Sequence, residues 1–286
     1  AGDQPFHPLD KGARRMRPLR HLSLTDALGI GLILCVAVLS LLLLVAPSII
    51  VVMISFDTRA FVSFPPEGFT FRWYAKVFEQ GELVDAMLNS LQVGLTVTLL
   101  CVLLGVPTAL ACARGRFRGT TALSVFVLVP HMVPGIVLGV AVLFAGALVG
   151  VSPSIWLQSV AISVFILAVM VRTVQSRLVR LDPALEEAAA NLRATPFQSL
   201  RTVTFPLLMP AILAGAVFTF VEGFDNLSVA IFTHGFRDRP LPVELLALVQ
   251  YTSSPLVAAV SGVQIVLAIA ALAAVSLSIG LDNVND

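Results

Sequence analysis

Charge is what this 286-residue chain has least of: Asp, Glu, Lys and Arg make up 12% of it, about half the share usual in globular proteins. A water-soluble fold needs more charged surface than that. With hydrophobic residues at 57% and a mean hydropathy of +0.94, the main solvent of the chain is lipid. An excess of either sign is missing too. Eighteen basic and 17 acidic residues leave a formal charge of +1, which excludes nucleic-acid binding through bulk positive charge. Cysteine is scarce, and Cys35, Cys101 and Cys112 all lie in apolar runs, as small hydrophobes rather than a disulfide framework or a metal site. Lys11 and Lys76 are the only lysines, and no G-x-x-x-x-G-K-[ST] phosphate loop occurs, so any ATP chemistry belongs to another chain. The histidines (His7, His21, His131, His234) are scattered, with no H-E-x-x-H or C-x-x-C spacing and no nucleophile elbow. Neither catalytic nor metal-ligating residues, nor a cofactor site, are expected in this chain.

What is present is long uncharged runs. A helix in lipid is apolar all round, so such runs locate spans better than periodicity does, and about 20 residues cross the hydrocarbon. Thirty uncharged residues separate Asp26 from Asp57, and 28 separate Asp85 from Arg114. The 53 between Arg118 and Arg172 exceed one helix, and Gly150-Val-Ser-Pro-Ser154 supplies a turn between two. A fifth span is expected from about Leu207 to Thr233. In the last run, Ser253-Ser254-Pro255 divides a short helix from a sixth span at about 256–280. The expected fold is therefore an all-α integral membrane protein with six transmembrane helices. Residues 1–25 form an N-terminal tail, 26–281 the membrane domain and 282–286 a C-terminal tail. Thirteen of the 18 basic residues fall on one side of that arrangement, which places both termini in the cytoplasm. Pro130-His-Met-Val-Pro134 is read as a kink within the third helix, and Phe71-Arg-Trp-Tyr74 as part of a short interfacial helix.

The link between the fourth and fifth spans is the most informative stretch. Asp182 is a good N-cap residue with Pro183 at the first helical position, and Glu186 and Glu187 favour the first turn. Thr195-Pro-Phe-Gln198 writes a second helix start, a capping box. Two short helices with a tight bend predict a compact knob over about 182–198. Glu187-Ala188-Ala189, then Ala194, then Phe205-Pro-Leu-Leu-Met-Pro210 resembles the E-A-A…G-A…P-L…P signature of ABC importer permeases, the membrane subunits of binding-protein-dependent transport systems. Where that pattern has glycine, this chain has Arg193; if the position is a left-handed helix stop, a non-glycine residue costs about 1–2 kcal/mol there.

The resemblance implies a cytoplasmic coupling helix between the fourth and fifth spans, in which Glu186, Glu187, Ala188, Ala189, Arg193 and Ala194 meet an ATPase subunit. It implies ATP and Mg on that partner, two ATPase subunits, a second homologous permease chain, an external solute-binding protein and a bacterial inner membrane.

Two acids remain at membrane depth. Glu222 and Asp225 are three apart on a helix and so share a face, and Phe218 and Phe224 lie close by. Ionisable groups there normally face a bundle interior or a watery cavity, so carboxylates and rings together suit a cation carrying apolar methylenes. Satisfaction by backbone amides, Asn226 or a neighbouring chain is the alternative. Within the permease family, Phe224-Asp-Asn226, Phe232-Thr-His-Gly235, Leu241-Pro242 and Ser254-Pro255 look like the polyamine and opine branch. An amine-bearing solute is the expectation. The alternatives are an ABC permease for ferric ion, phosphonate or an opine, or an ion-gradient-driven transporter using Glu222 or Asp225.

Overall fold

The computed structural model describes residues 24–115 and 118–279. Every regular element among them is helical. Contacts divide the chain after Ile50 into two units. Most of α1 (Leu24–Ile54) lies in the first, and its leucines and isoleucines, such as Leu32, Ile33 and Leu43, are exposed. From Gly29 to Ile54 this helix is apolar all round and carries no charge, and such a stretch is stable only where its surroundings are equally apolar.

The second unit is built on three helices: α3 (Gly81–Arg114), α6 (Ile155–Leu178) and α9 (Phe205–Asp225). Val97 and Cys101 of α3, Ile162 and Ile166 of α6, and Leu208 of α9 are fully buried between them. Small residues allow the close approach that membrane helices rely on in place of a hydrophobic driving force. A methyl group on Gly105 of α3 would sit 2.6 Å from Cγ of Met170, and one on Gly215 of α9 would sit 2.7 Å from its Sδ. Met170, wholly buried in α6, therefore occupies two notches at once.

Among the described residues, Gly29–Ile54, Gly81–Arg114, Ile155–Leu178 and Pro196–Asp225 are long and apolar enough to cross a membrane. The expected third span is not one kinked helix. It is α4 (Thr120–Met132) and α5 (Gly135–Leu148), bent by 100° at Val133-Pro134. Pro134 has no N–H to give and excludes α backbone at Val133, so two prolines four apart break the helix rather than bend it. At 1.5 Å per residue each half is only about 20 Å long. The turn expected at 150–154 is present: Gly150 takes φ +76, and Ser154 caps α6 by accepting the N–H of Leu157 at 3.3 Å.

The expected fifth span also ends early. Helix α9 stops at Asp225, and Asn226 starts α10 (Leu227–Thr233) by accepting the N–H of Val229 at 3.0 Å. The two short pieces meet: a methyl on Gly139 of α5 would lie 3.1 Å from the Val229 carbonyl of α10. The short helix α11 (Leu241–Tyr251) and then α12 (Pro255–Ile279) follow, divided at Ser253-Ser254 as the sequence reads. Ser90 of α3 fixes the start of α11 by accepting the buried Leu241 N–H at 2.9 Å.

The short helix expected near Phe71 is α2 (Arg72–Glu79), with Trp73 and Val77 buried against Leu83, Phe224, Leu241 and Leu256. Asp57 organises the loop before it. This carboxylate has no exposed surface and accepts from the N–H of Arg59 (3.2 Å), Nε of Arg59 (3.2 Å), Oγ of Ser63 (3.3 Å) and the N–H of Glu67 (3.4 Å). Its backbone carbonyl accepts from Nε1 of Trp73 at 2.7 Å. Burial pushes the Asp57 carboxyl up, but the two backbone amides and the Arg59 guanidinium outweigh it and hold the group below its ordinary value.

Candidate functional site: a capped knob and an acidic helix end

The stretch between α6 and α9 folds as two short helices with a bend. Helix α7 (Ala184–Asn191) begins one residue later than the sequence suggests, yet Asp182 still caps it: its Oδ1 accepts the N–H of Ala184 at 2.9 Å. Helix α8 (Pro196–Ser199) opens with the expected reciprocal box. The Thr195 hydroxyl accepts the Gln198 N–H at 3.3 Å, and Oε1 of Gln198 accepts the Thr195 N–H at 2.8 Å.

Between them, Arg193 adopts φ +62, the left-handed conformation that glycine normally supplies. The bonds around it form a Schellman stop: the Ala194 N–H reaches the Ala189 carbonyl at 3.0 Å, and the Arg193 N–H reaches that of Ala190 at 2.9 Å. Arginine thus takes the glycine conformation, and the bend is retained.

The two adjacent glutamates of α7 part company, because successive helical residues point about 100° apart. Glu187 is exposed together with Ala188, Arg193 and the apolar side chains of Leu185, Leu192 and Phe197. Glu186 turns the other way. Its Oε1 accepts from Oγ1 of Thr204 at 2.9 Å and lies 3.2 Å from Nη2 of Arg114, at the end of α3. A π-helical turn, Leu200–Thr204, then leads into α9. A cavity of about 440 Å³ opens beside this cluster, with Leu110, Arg114, Glu186, Ala190, Ala194 and Thr204 among its walls.

The four residues expected to line a solute pathway all lie on α9 but do not all face the same way. Phe218, Glu222 and Asp225 share an exposed face of α9, four and three residues apart. Phe224 is buried against Phe220, their ring centroids 5.9 Å apart. A cavity of about 260 Å³ takes in Phe220, Phe224 and Asp225, while Glu222 and Phe218 lie outside it.

Its remaining polar lining comes from α12, in Ser261 and Gln264, which the sequence reading missed. Nε2 of Gln264 donates a short hydrogen bond to Oδ1 of Asp225. The available signal was two polar residues three apart in the mostly apolar first half of that helix. Asp225 itself closes α9 rather than sitting mid-helix, so it lies at a break in the fifth apolar segment. Among the described residues, no three His, Cys, Asp or Glu side chains group to hold a metal ion.

Helices long and apolar enough to cross a membrane, two broken apolar segments and a doubly capped knob together define an all-helical membrane protein among the described residues. The chain belongs to the family of binding-protein-dependent transport system inner membrane components, whose model matches residues 102–285, and is the permease subunit of an ABC importer. That membership sets aside the ion-gradient alternative.

Among relatives, it is 32% identical over 224 residues to the spermidine/putrescine transport system permease protein PotC of Haemophilus influenzae, covering 78% of this chain and 87% of that one. It is 28% identical over 222 residues to the putrescine transport system permease protein PotI of Escherichia coli K12, covering 74% and 78%. A bacterial ABC transporter involved in the import of the acidic polysaccharide alginate shares the fold, with a TM-score of 0.65 at 18% identity over 89% of this chain and 97% of that one.

Proposed function

We propose that this permease forms half of the pathway for a small amine-bearing solute of the polyamine type, with the Asp225 cavity as a contact point. The observation that carries the proposal is the Asp225 carboxylate at a helix break, beside the Phe224 and Phe220 rings and the Gln264 amide. A carboxylate pairs an ammonium group and the rings accommodate its methylenes. The names of PotC and PotI, a spermidine/putrescine and a putrescine permease, support the same solute class. Glu222 and Phe218, exposed on the same helix, suit the side of the pathway completed by a second permease chain.

In this reading the chain crosses the membrane six times with both termini cytoplasmic, the bent α4–α5 pair and α12 completing the count. Residues 26–281 are the permease domain, flanked by tails 1–25 and 282–286. An external binding protein delivers solute. Two ATPase subunits carry the ATP and Mg, one of them gripping the 182–198 knob through Glu187, Ala188, Arg193 and the apolar rim of Leu185, Leu192 and Phe197.

The test is uptake of labelled spermidine by the complete complex in proteoliposomes. Loss of a charge-assisted contact worth about 1.5–3 kcal/mol predicts that Asp225→Asn lowers uptake efficiency roughly 10- to 100-fold. Uptake by that variant equal to wild type removes the cation proposal. Glu187→Arg is expected to abolish solute-stimulated ATP hydrolysis, and full activity there would refute the knob as the ATPase contact.

A further inference from the structure

We infer that Glu186 is a positioning residue that pins the knob directly to the ends of two long helices, giving its movement a second route into the membrane. The inference rests on the proposed ATPase contact at the knob and goes beyond it. Chain connectivity alone joins α7 to α9 through the bend, α8 and the π-helical turn. One oxygen shortcuts that path. Oε1 of Glu186 accepts from the buried Thr204 hydroxyl at 2.9 Å, immediately before α9, and faces Nη2 of Arg114 at 3.2 Å, the last residue of α3. The knob therefore touches the second long helix, to which it is not adjacent in sequence, as well as the one it leads into.

A second observation concerns the guanidinium. Nε and Nη2 of Arg114 are buried, yet among the described residues neither has an aligned hydrogen-bond acceptor. The pair is thus in ionic contact without the geometry of a forked bond, and the adjoining cavity of about 440 Å³ gives the two side chains room to realign. An ion pair close but imperfectly aligned, next to open space, suits a joint with two arrangements. A fully satisfied staple would resist such motion. Glu187, one residue on, has the opposite character: it is exposed on the outer face and available to a partner. Neighbouring glutamates thus divide the work, one facing outward and one inward.

The experiment measures solute imported per ATP hydrolysed by the reconstituted complex, with three variants: Glu186→Gln, Arg114→Gln, and the exchange Glu186→Arg with Arg114→Glu. Glu186→Gln keeps the shape and an acceptor for Thr204 but loses the charge. The expected result is a complex that assembles and hydrolyses ATP when stimulated, with solute moved per ATP reduced about fivefold; the exchanged pair should restore at least half of the loss.

A wild-type ratio in Glu186→Gln overturns the inference while leaving the ATPase contact standing. So does reduced assembly with an unchanged ratio, which marks Glu186 as a structural staple only. Full solute-stimulated ATP hydrolysis by Glu187→Arg, measured alongside, would instead refute the ATPase contact beneath it.

Discussion

Replacing Arg193 by glycine should stabilise the bend between α7 and α8. The residue sits at φ +62, where a side chain costs about 1–2 kcal/mol relative to glycine. Against this stands the extra freedom glycine gives the unfolded chain, about 0.5–1 kcal/mol. The side chain is exposed and, among the described residues, makes no hydrogen bond that would be lost with it. The net expectation is a gain of about 0.5–1 kcal/mol, roughly a two- to fivefold slower opening of the local structure at 1.4 kcal/mol per decade.

The natural assay is amide exchange at Arg193 and Ala194, whose N–H groups make the two bonds of the helix stop. Arg193→Ala serves as the control, since it removes the same charge and length while keeping a Cβ in the left-handed conformation. Exchange should slow in the glycine variant and not in the alanine variant. Equal slowing in both would refute the reasoning, because the benefit would then come from removing arginine rather than from relieving backbone strain.

Gly105→Ala should destabilise the α3–α6–α9 core by about 1–3 kcal/mol, since the new methyl meets Cγ of Met170 at 2.6 Å. Thermal melting of the detergent-purified complex checks it, and Met170→Ala in the same chain should recover part of the loss; simple additivity would count against the notch. Asn226→Leu should cost about 1–3 kcal/mol by orphaning the buried Val229 N–H, whereas Asn226→Asp keeps the acceptor and the cap, a contrast that amide exchange at Val229 reads directly.

The Asp57 carboxyl is more acidic in the folded protein than in the unfolded chain. Its stabilisation is therefore complete above the ordinary carboxylate value of about 3.9 and is lost as pH falls through the lower folded value. Trp73 fluorescence, read in a Trp156→Phe background, should hold steady from pH 7 to about 4 and change only below that. Asp57→Asn should remove this acid limb, and a transition near pH 6 would contradict the assignment.

The long helices were legible because lipid forbids unpaired backbone and so writes spans as uncharged runs. The knob was legible because its signals are local: Asp182, Thr195 and Gln198 act on amides two or three residues away. Its bend followed from the two successive helix starts, whereas Arg193 in place of glycine argued against the left-handed stop that the fold retains. The breaks at Val133-Pro134 and Asn226 were harder to place: the first lies in a run that charge counting passes straight through, and beside the second Glu222 and Asp225 read as acids within one continuous span.

Asn226 carried a cap signal, but it is embedded in a run that reads as continuous helix. Gln264 escaped because its partner Asp225 lies 39 residues away in sequence and is met only in the fold. The split between Glu186 and Glu187 is likewise tertiary: both suit the first turn of a helix, and only packing against α3 and α9 decides which one faces inward.

Met170, seated in notches on two different helices, ties together three positions far apart in the chain. None of them can drift alone. In the lineage of this permease, a larger residue at 105 or 215 should appear only alongside a smaller one at 170. Changes at these sites should therefore be inherited together, as one conserved volume.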